Sequence, residues 1–156
     1  MPVRTTQAWS LRPATPADLE ATAELRAVVM RPDLVRLGRY DEQRVRQRLR
    51  DSYLPEHTSV IVVDGRFGGS VTLRPFEDGW CLESFFVDEG LQGRGIGSAV
   101  LGALLARTDG EGVPVRLNVL QGSSARRLYE RHGFILERED AVDVFMVRRP
   151  PLRAVP

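Results

Sequence analysis

The stretch "WCLESFFVDEGLQGRGIGSAVLGALLART", residues 80–108, combines a strand pattern, a glycine-rich turn and a helical pattern. Its first part, "WCLESFFV" (80–87), is typical of a strand, and apolar spacing predicts a helix over about 94–108. Between them, Gly93, Gly95 and Gly97 lie within five positions. The N–H groups of such a turn can converge on one spot, and the helix N-terminus adds the positive end of its dipole. The stretch therefore predicts an anion-binding turn between a strand and a helix.

Two common phosphate-binding motifs do not match this turn. The dinucleotide fingerprint G-x-G-x-x-G needs a glycine where the chain has Ser98 or Val100. The P-loop motif finds Gly97 and Gly102, but Ala103 stands where its lysine is required. Both dinucleotide binding and nucleotide hydrolysis therefore lose support.

The elements before this stretch read as a strand, two helices and two further strands. Thr15 and Pro16 are typical of a helix start, and Pro32 and Gly38 interrupt the pattern that follows. Asp41 is expected to cap the second helix. The predicted elements are a strand over 9–15, a helix to about Val29, a helix from Asp41 that stops before Pro55, and strands over 58–65 and 67–75.

The elements after the stretch complete an α/β pattern. We expect a strand over 113–120, a short helix within 123–133 that ends at Gly133, and a last antiparallel pair over 134–139 and 141–149. A strand–helix–strand unit favours two parallel strands, so the sheet is predicted to be mixed and mostly antiparallel. We predict a single domain over residues 1–149, in which helices flank the central sheet. Residues 150–156 are predicted to form a mobile tail.

Composition limits the classes of function. The 156 residues carry a net charge of +1, which offers no basic field for nucleic acid, and no apolar run is long enough to span a membrane. One cysteine and two histidines exclude an internal disulfide and make a metal site unexpected. With no signal-peptide pattern at the N-terminus, we expect a cytoplasmic protein.

Two further segments join the turn in one pattern. The turn itself reads Gln92-x-x-Gly95-x-Gly97, "ARRLYERHGF" spans 125–134, and "LRPATPADLEA" spans 11–21. With these the chain resembles the GNAT superfamily of acyl-CoA N-acyltransferases over nearly its whole length. The resemblance implies the α/β fold predicted above and acetyl-CoA as the cosubstrate.

The resemblance also assigns cofactor contacts. It implies that the turn amides hold the diphosphate of coenzyme A, and that N–H groups near Phe86 and Val87 meet the reacting carbonyl. An asparagine usual before the short helix is replaced here by Gly122 and Ser123. Either Ser123 or Ser124 is expected to cap that helix and to contact the cofactor instead. The implied turn residues are Gln92, Gly93, Arg94, Gly95, Ile96, Gly97 and Ser98.

Two residues are candidates for proton transfer. The resemblance places the general acid at Tyr129, whose alternative role is a core aromatic on an amphipathic helix. Glu83 lies within an apolar strand, where a carboxylate is costly unless it is paired, solvated or catalytic. It is therefore a candidate general base, and an ordinary outward-facing strand position is the open alternative. Cys81 is expected to be a small buried hydrophobe.

The sequence thus predicts an N-acetyltransferase that moves an acetyl group from acetyl-CoA directly to a primary amine on a small molecule or peptide. A non-catalytic acyl-CoA-binding regulatory or sensor module on the same fold is the alternative, and another phosphorylated ligand is a third. Seven arginines within 31–50 fit either an anionic acceptor or a solvated helix face. The two histidines, His57 and His132, are expected at the surface. The last strand and the tail leave room for a homodimer.

Overall fold

The computed structural model describes residues 8–152, and these form the predicted α/β class with a mixed sheet. Seven strands make one open sheet in the order β1-β2-β3-β4-β5-β7-β6. The strands are β1 (Trp9–Pro13), β2 (Thr58–Val63), β3 (Arg66–Phe76), β4 (Gly79–Val87), β5 (Val115–Leu120), β6 (Ile135–Glu139) and β7 (Asp143–Arg148). The helices are α1 (Leu19–Arg36), α2 (Glu42–Ser52), α3 (Ile96–Glu111) and α4 (Ala125–Arg131).

Strand pairing follows the predicted pattern. β1 with β2, β2 with β3, β5 with β7, and β6 with β7 are antiparallel pairs. β4 and β5 are parallel, as the helix between them requires. That parallel pairing is short, because only Trp80 and Cys81 have partners on β5.

The first helix is longer than predicted. The sequence placed its end near Val29 before Pro32, but α1 continues to Arg36 with Pro32 inside it. The helix ends where Gly38 takes a left-handed conformation with φ 69°. Its N–H donates to Val35 O at 3.0 Å, and Arg39 N–H donates to Leu34 O at 2.8 Å, which is the pattern of a Schellman cap. The prediction was wrong because a proline removes one hydrogen bond, whereas the glycine terminates the helix.

The predicted caps are confirmed elsewhere. Thr15 and Asp18 form a capping box ahead of α1, so the strand predicted to reach position 15 ends at Pro13. The Asp41 side chain accepts hydrogen bonds from Gln43 N–H at 3.0 Å and Arg44 N–H at 2.9 Å at the start of α2. These local signals position both helices from the sequence alone.

Packing divides the chain into two compact units. The first takes the described parts of Met1–Val29, Asp41–Thr72 and Ser84–Gly97, and the second takes those of Met30–Tyr40, Leu73–Glu83 and Ser98–Pro156. The first unit buries Ala23, Leu25, Val45, Leu49, Val60, Ile61, Val71 and Phe86. The second buries Val100, Leu101, Val115, Leu117, Tyr129, Phe134, Val144 and Met146. The predicted boundary at residue 150 stays a prediction, and tail residues 153–156 lie outside the described residues, as do residues 1–7.

The close approach of β3 and β4 in the first unit depends on Gly69. A Cβ at this position would lie 2.3 Å from Phe86 O and 3.3 Å from Val87 Cα. Backbone atoms cannot yield to such a contact as the end of a flexible side chain does. Gly69 therefore holds the backbone of β4 at Phe86 in place.

We expect Gly69→Ala to lower the free energy of unfolding by about 1–3 kcal/mol, because the new methyl group overpacks against backbone. Gly110→Ala is the matched control, since position 110 lies in α3 with no heavy atom within 4 Å of an added Cβ. That control should gain about 0.4–1 kcal/mol. Urea unfolding monitored by circular dichroism measures both. Equal stability of wild type and Gly69→Ala would contradict the steric assignment.

Candidate functional site

The glycine turn lies in the first unit, between β4 and α3. The backbone is left-handed at Gly93 (φ 79°) and Gly95 (φ 80°), a conformation that glycine adopts without strain. No heavy atom lies within 4 Å of an added Cβ at either glycine. The outer side of the turn is therefore open, and an anion can approach the main chain there.

The N–H groups of three glycines at this turn have no backbone acceptor outside the helix within the described chain. Leu91 N–H donates to Asp88 O at 2.9 Å and Gln92 N–H to Glu89 O at 3.3 Å. Outside the bonds internal to helices, Gly93, Gly95 and Gly97 donate no backbone hydrogen bond to a described residue. The first turn of α3 also contains no acidic side chain. The positive end of this 16-residue helix is thus left to an external anion.

The Gln92 side chain fixes the turn to the end of β4. Its Nε2 donates to Val87 O at 3.0 Å. The Asp88 carboxylate accepts from Gly90 N–H at 2.9 Å and caps the short 3-10 turn between them. Gln92, predicted as a cofactor contact, therefore orients the turn through its side chain.

The last part of β4 differs from a regular strand. Ser84 has a left-handed backbone with φ 47°, which is rare for a residue other than glycine. Among the described residues, those from Leu82 to Val87 have no partner on β5. Phe86 and Val87, the residues predicted to meet the reacting carbonyl, lie in this part of the strand.

The second unit contains the proposed base. Arg74 Nε lies 2.5 Å from Glu83 Oε1, and both side chains are about one third exposed. Cys81 Sγ lies 3.6 Å from the same oxygen. The Oε2 atom has no hydrogen-bond partner among the described residues. The ion pair explains how the carboxylate is accommodated on an apolar strand, and one oxygen remains available to take a proton.

The proposed acid is buried in the second unit. Burial raises the pKa of Tyr129 to about 12, so its phenol is protonated at neutral pH. Its ring packs edge-on against Phe134, with centroids 5.7 Å apart. Its hydroxyl has no hydrogen-bond partner in the described part of the chain. Tyr129 is therefore a core aromatic, and its O–H donor is also unused.

The two serines before α4 differ. Ser123 Oγ accepts from Ala125 N–H at 3.2 Å, whereas Ser124 has no side-chain cap bond. The expectation of a serine cap is thus met by Ser123.

Burial raises the pKa of Cys81 to about 11, which keeps its thiol protonated and fits the expected hydrophobic role.

One pair in the second unit was not foreseen. His132, expected at the surface, is half-buried and its Nε2 lies 3.0 Å from Ser98 Oγ in the first turn of α3. Burial, Arg131 and Arg148 lower the pKa of His132, so its neutral form is favoured. A contact across 34 sequence positions leaves no local signal, so sequence patterns could not find it.

Two kinds of feature are absent from the described residues. No helix among them combines the length and apolar character needed to cross a membrane. Within the same residues, no group of three or more His, Cys, Asp or Glu side chains is arranged to hold a metal ion.

Comparison with known proteins gives a family and a fold. The model of the acetyltransferase (GNAT) family matches residues 20–134. PaiA N-acetyltransferase from Thermoplasma acidophilum, solved with coenzyme A, is similar with a TM-score of 0.74 and 19% identity, covering 91% of this chain and 99% of that one. Ard1 from Thermoplasma volcanium has a TM-score of 0.68 and 24% identity over 93% and 99% of the two chains. Comparison with curated protein sequences gave no match.

A larger enzyme shares the fold over part of its length. N-acetylglutamate synthase from Neisseria gonorrhoeae, complexed with coenzyme A and N-acetyl-glutamate, has a TM-score of 0.65 and 20% identity. The alignment covers 93% of this chain and 36% of that one. At these identities the likeness concerns the fold.

The lowered pKa of His132 is open to a direct test. We expect its imidazole to titrate below the usual 6.5 in a histidine NMR titration, and Arg131→Gln to raise the midpoint by removing a positive charge. The lowered pKa also makes stability depend on pH. A histidine whose pKa is lowered on folding stabilises the protein at pH values above the histidine's unfolded pKa, and this stabilisation is lost as the pH falls through the folded-state pKa. His57→Gln assigns the two signals. A midpoint at or above 6.5 would rule out the described environment.

Proposed function

Because the chain belongs to the acetyltransferase (GNAT) family, we propose that it transfers an acetyl group from acetyl-CoA directly to a primary amine of an acceptor. The observation that carries this proposal is the open glycine turn at the start of α3, where the N–H groups of Gly93, Gly95 and Gly97 donate no backbone hydrogen bond outside the helix to a described residue. Similar folds solved with coenzyme A support the choice of cosubstrate. The cytoplasmic location, the homodimer and the absence of a nucleic-acid partner stay predictions.

The residues of the turn fit a diphosphate. Two left-handed glycines leave the main chain uncovered, and the unneutralised N-terminus of α3 attracts negative charge. We assign the diphosphate to the N–H groups between Gln92 and Ser98. We place the departing sulfur and the reacting carbonyl near the N–H groups of Phe86 and Val87. These N–H groups stabilise the oxyanion that develops on the carbonyl oxygen.

Proton transfer is the chemical work left to side chains. When bound, acetyl-CoA supplies a thioester and a thiolate leaving group. A primary amine with a pKa near ~10 is neutral in about one molecule in a thousand at pH 7. Glu83 accepts the amine proton at Oε2, directly or through a water molecule, while Arg74 holds Oε1. Tyr129 donates its unused O–H hydrogen to the departing sulfur.

Binding and turnover are tested separately. The wild-type protein should be stabilised by acetyl-CoA and coenzyme A in a thermal shift assay, by about 2.7 kcal/mol at ~100-fold the dissociation constant. It should also release thiol from acetyl-CoA when a panel of amines is screened by mass spectrometry. Binding without any acetylated amine would favour the non-catalytic acyl-CoA module. Stabilisation by ATP but not by coenzyme A would favour the third type of ligand.

Gly95→Ala should weaken coenzyme A binding at least tenfold, because the methyl group projects into the open space outside the turn. Gly38→Ala is the matched control, since position 38 is also left-handed (φ 69°) with no atom within 4 Å of an added Cβ. Both variants carry a similar backbone cost of about 1–2 kcal/mol. Isothermal titration with coenzyme A separates the effects. Equal affinity of the two variants would exclude the turn as the binding site.

Tyr129→Phe should lower kcat by about 100-fold with little change in the affinity for coenzyme A, because only the donor is removed. Glu83→Gln should lower kcat/KM for the amine by about 100-fold, because the side chain that accepts the proton is removed. Tyr40→Phe serves as the control for loss of a phenol elsewhere. An unchanged kcat for Tyr129→Phe would refute the acid, and an unchanged kcat/KM for Glu83→Gln would refute the base.

A further inference from the structure

The arginines of the first unit fall into two classes by their partners. Two on α2 are paired with carboxylates: Arg46 with Glu24 at 2.7 Å and Arg50 with Glu20 at 3.0 Å. Both pairs join α2 to α1. They are ordinary surface ion pairs, which contribute little to stability.

Arg26 on α1 belongs to the other class. Its Nε donates to Val45 O at 3.0 Å, and its guanidinium carbon lies 5.9 Å from the centre of the Phe86 ring. No carboxylate within the described residues pairs with it. Arg48 on α2 is equally without a carboxylate there. The guanidinium of Arg26 thus lacks the carboxylate partner that those of Arg46 and Arg50 have.

This arrangement is costly without a ligand. Arginine stays charged in proteins, and a charge removed from water is unfavourable unless it is paired. Burial and the charge of Arg48 both lower the pKa of Arg26, which reports the same cost. A carbonyl oxygen and an aromatic face compensate only part of it.

The two Nη atoms remain available. Nε is occupied by Val45 O, and neither Nη has a hydrogen-bond partner among the described residues. Both Nη atoms are also accessible to solvent. Among the described residues, Ser70 Oγ is the one fully buried side-chain polar atom that has no hydrogen-bond partner, so the Nη atoms of Arg26 are not fully buried. A guanidinium edge with two free N–H directions matches a carboxylate or phosphate.

The position of Arg26 relates it to the reacting end of the cosubstrate. Its guanidinium lies against the side chain of Phe86, whose backbone N–H we assign to the reacting carbonyl. The diphosphate has its own site at the glycine turn, which leaves this charge for the other reactant. Unpaired positive charge beside the reacting group selects an acceptor with negative charge near its amine.

We infer that Arg26, reinforced by Arg48, binds an anionic group on the acceptor, so that the substrates are amines carrying a carboxylate or a phosphate. This inference rests on the proposed function and names its substrate class. Arg26 acts as a specificity residue that contacts the acceptor and takes no part in proton transfer.

The test compares matched acceptors. β-Alanine and β-alaninamide differ in one negative charge, as do phosphoethanolamine and ethanolamine, and these pairs separate carboxylate from phosphate. We expect wild type to favour at least one anionic member tenfold or more in kcat/KM. The amide's amine is less basic and therefore more often neutral, so a preference for the acid cannot come from amine ionisation.

Variants connect the preference to Arg26. In Arg26→Gln, the ratio of kcat/KM for the anionic amine to kcat/KM for the neutral amine should fall close to one, mainly through a higher KM for the anionic amine. Arg26→Lys should restore part of it, since the charge returns without the planar fork. Arg46→Gln, which removes an exposed paired arginine on α2, should keep the wild-type ratio. Unfolding midpoints confirm that each variant is folded.

A second readout does not need turnover. Isothermal titration should show that N-acetyl-β-alanine or N-acetylphosphoethanolamine binds wild type more tightly than its neutral counterpart, and that Arg26→Gln removes the difference. A wild-type ratio near one in both assays would overturn the inference and leave the acetyltransferase proposal intact. Equal losses for anionic and neutral amines in Arg26→Gln would also overturn it, as a purely structural role. Selective anion binding without any acetylation would instead refute the proposed function.

Discussion

Backbone amides at the start of α3 require an acceptor, and the described chain supplies none for the glycines of the preceding turn. The first N–H groups of any helix lack partners inside the helix, and most proteins cover them with a capping side chain. Here the left-handed conformations of Gly93 and Gly95 keep side chains away from the turn, and no acid neutralises the helix dipole. The turn is therefore suited to an anionic ligand.

The end of β4 is shaped by a backbone contact and a departure from regular pairing. Gly69 lets β3 approach Phe86 more closely than any side chain permits, and Ser84 bends the strand through a left-handed conformation. Pairing with β5 stops at Cys81. On one side, β3 packs closely against the backbone of Phe86 and Val87. On the other side, these two residues have no pairing with β5 among the described residues. A rigid frame of this kind suits groups that must be held ready for a reaction.

Charge in this protein has to be interpreted through its partners. All 22 basic residues are arginines, so the residue type carries little information in the sequence. In the structure, Arg46 and Arg50 neutralise exposed glutamates, Arg74 neutralises Glu83, and Arg26 is left with a carbonyl and an aromatic ring. The difference between an arginine in a surface ion pair and one without a carboxylate partner therefore lies in the environment of each guanidinium.

Features that depend on neighbours along the chain could be predicted from the amino-acid sequence. Strand and helix periods, the caps at Thr15 and Asp41, and the glycine turn rest on local backbone preference, and the structure agrees with them. The sequence prediction misplaced the end of α1, because the helix continues through Pro32 and ends at Gly38. The partners of Arg26, Glu83 and His132 could not be predicted in this way, because hydrogen bonds and desolvation between distant segments depend on how the chain packs and leave no periodic pattern in the sequence.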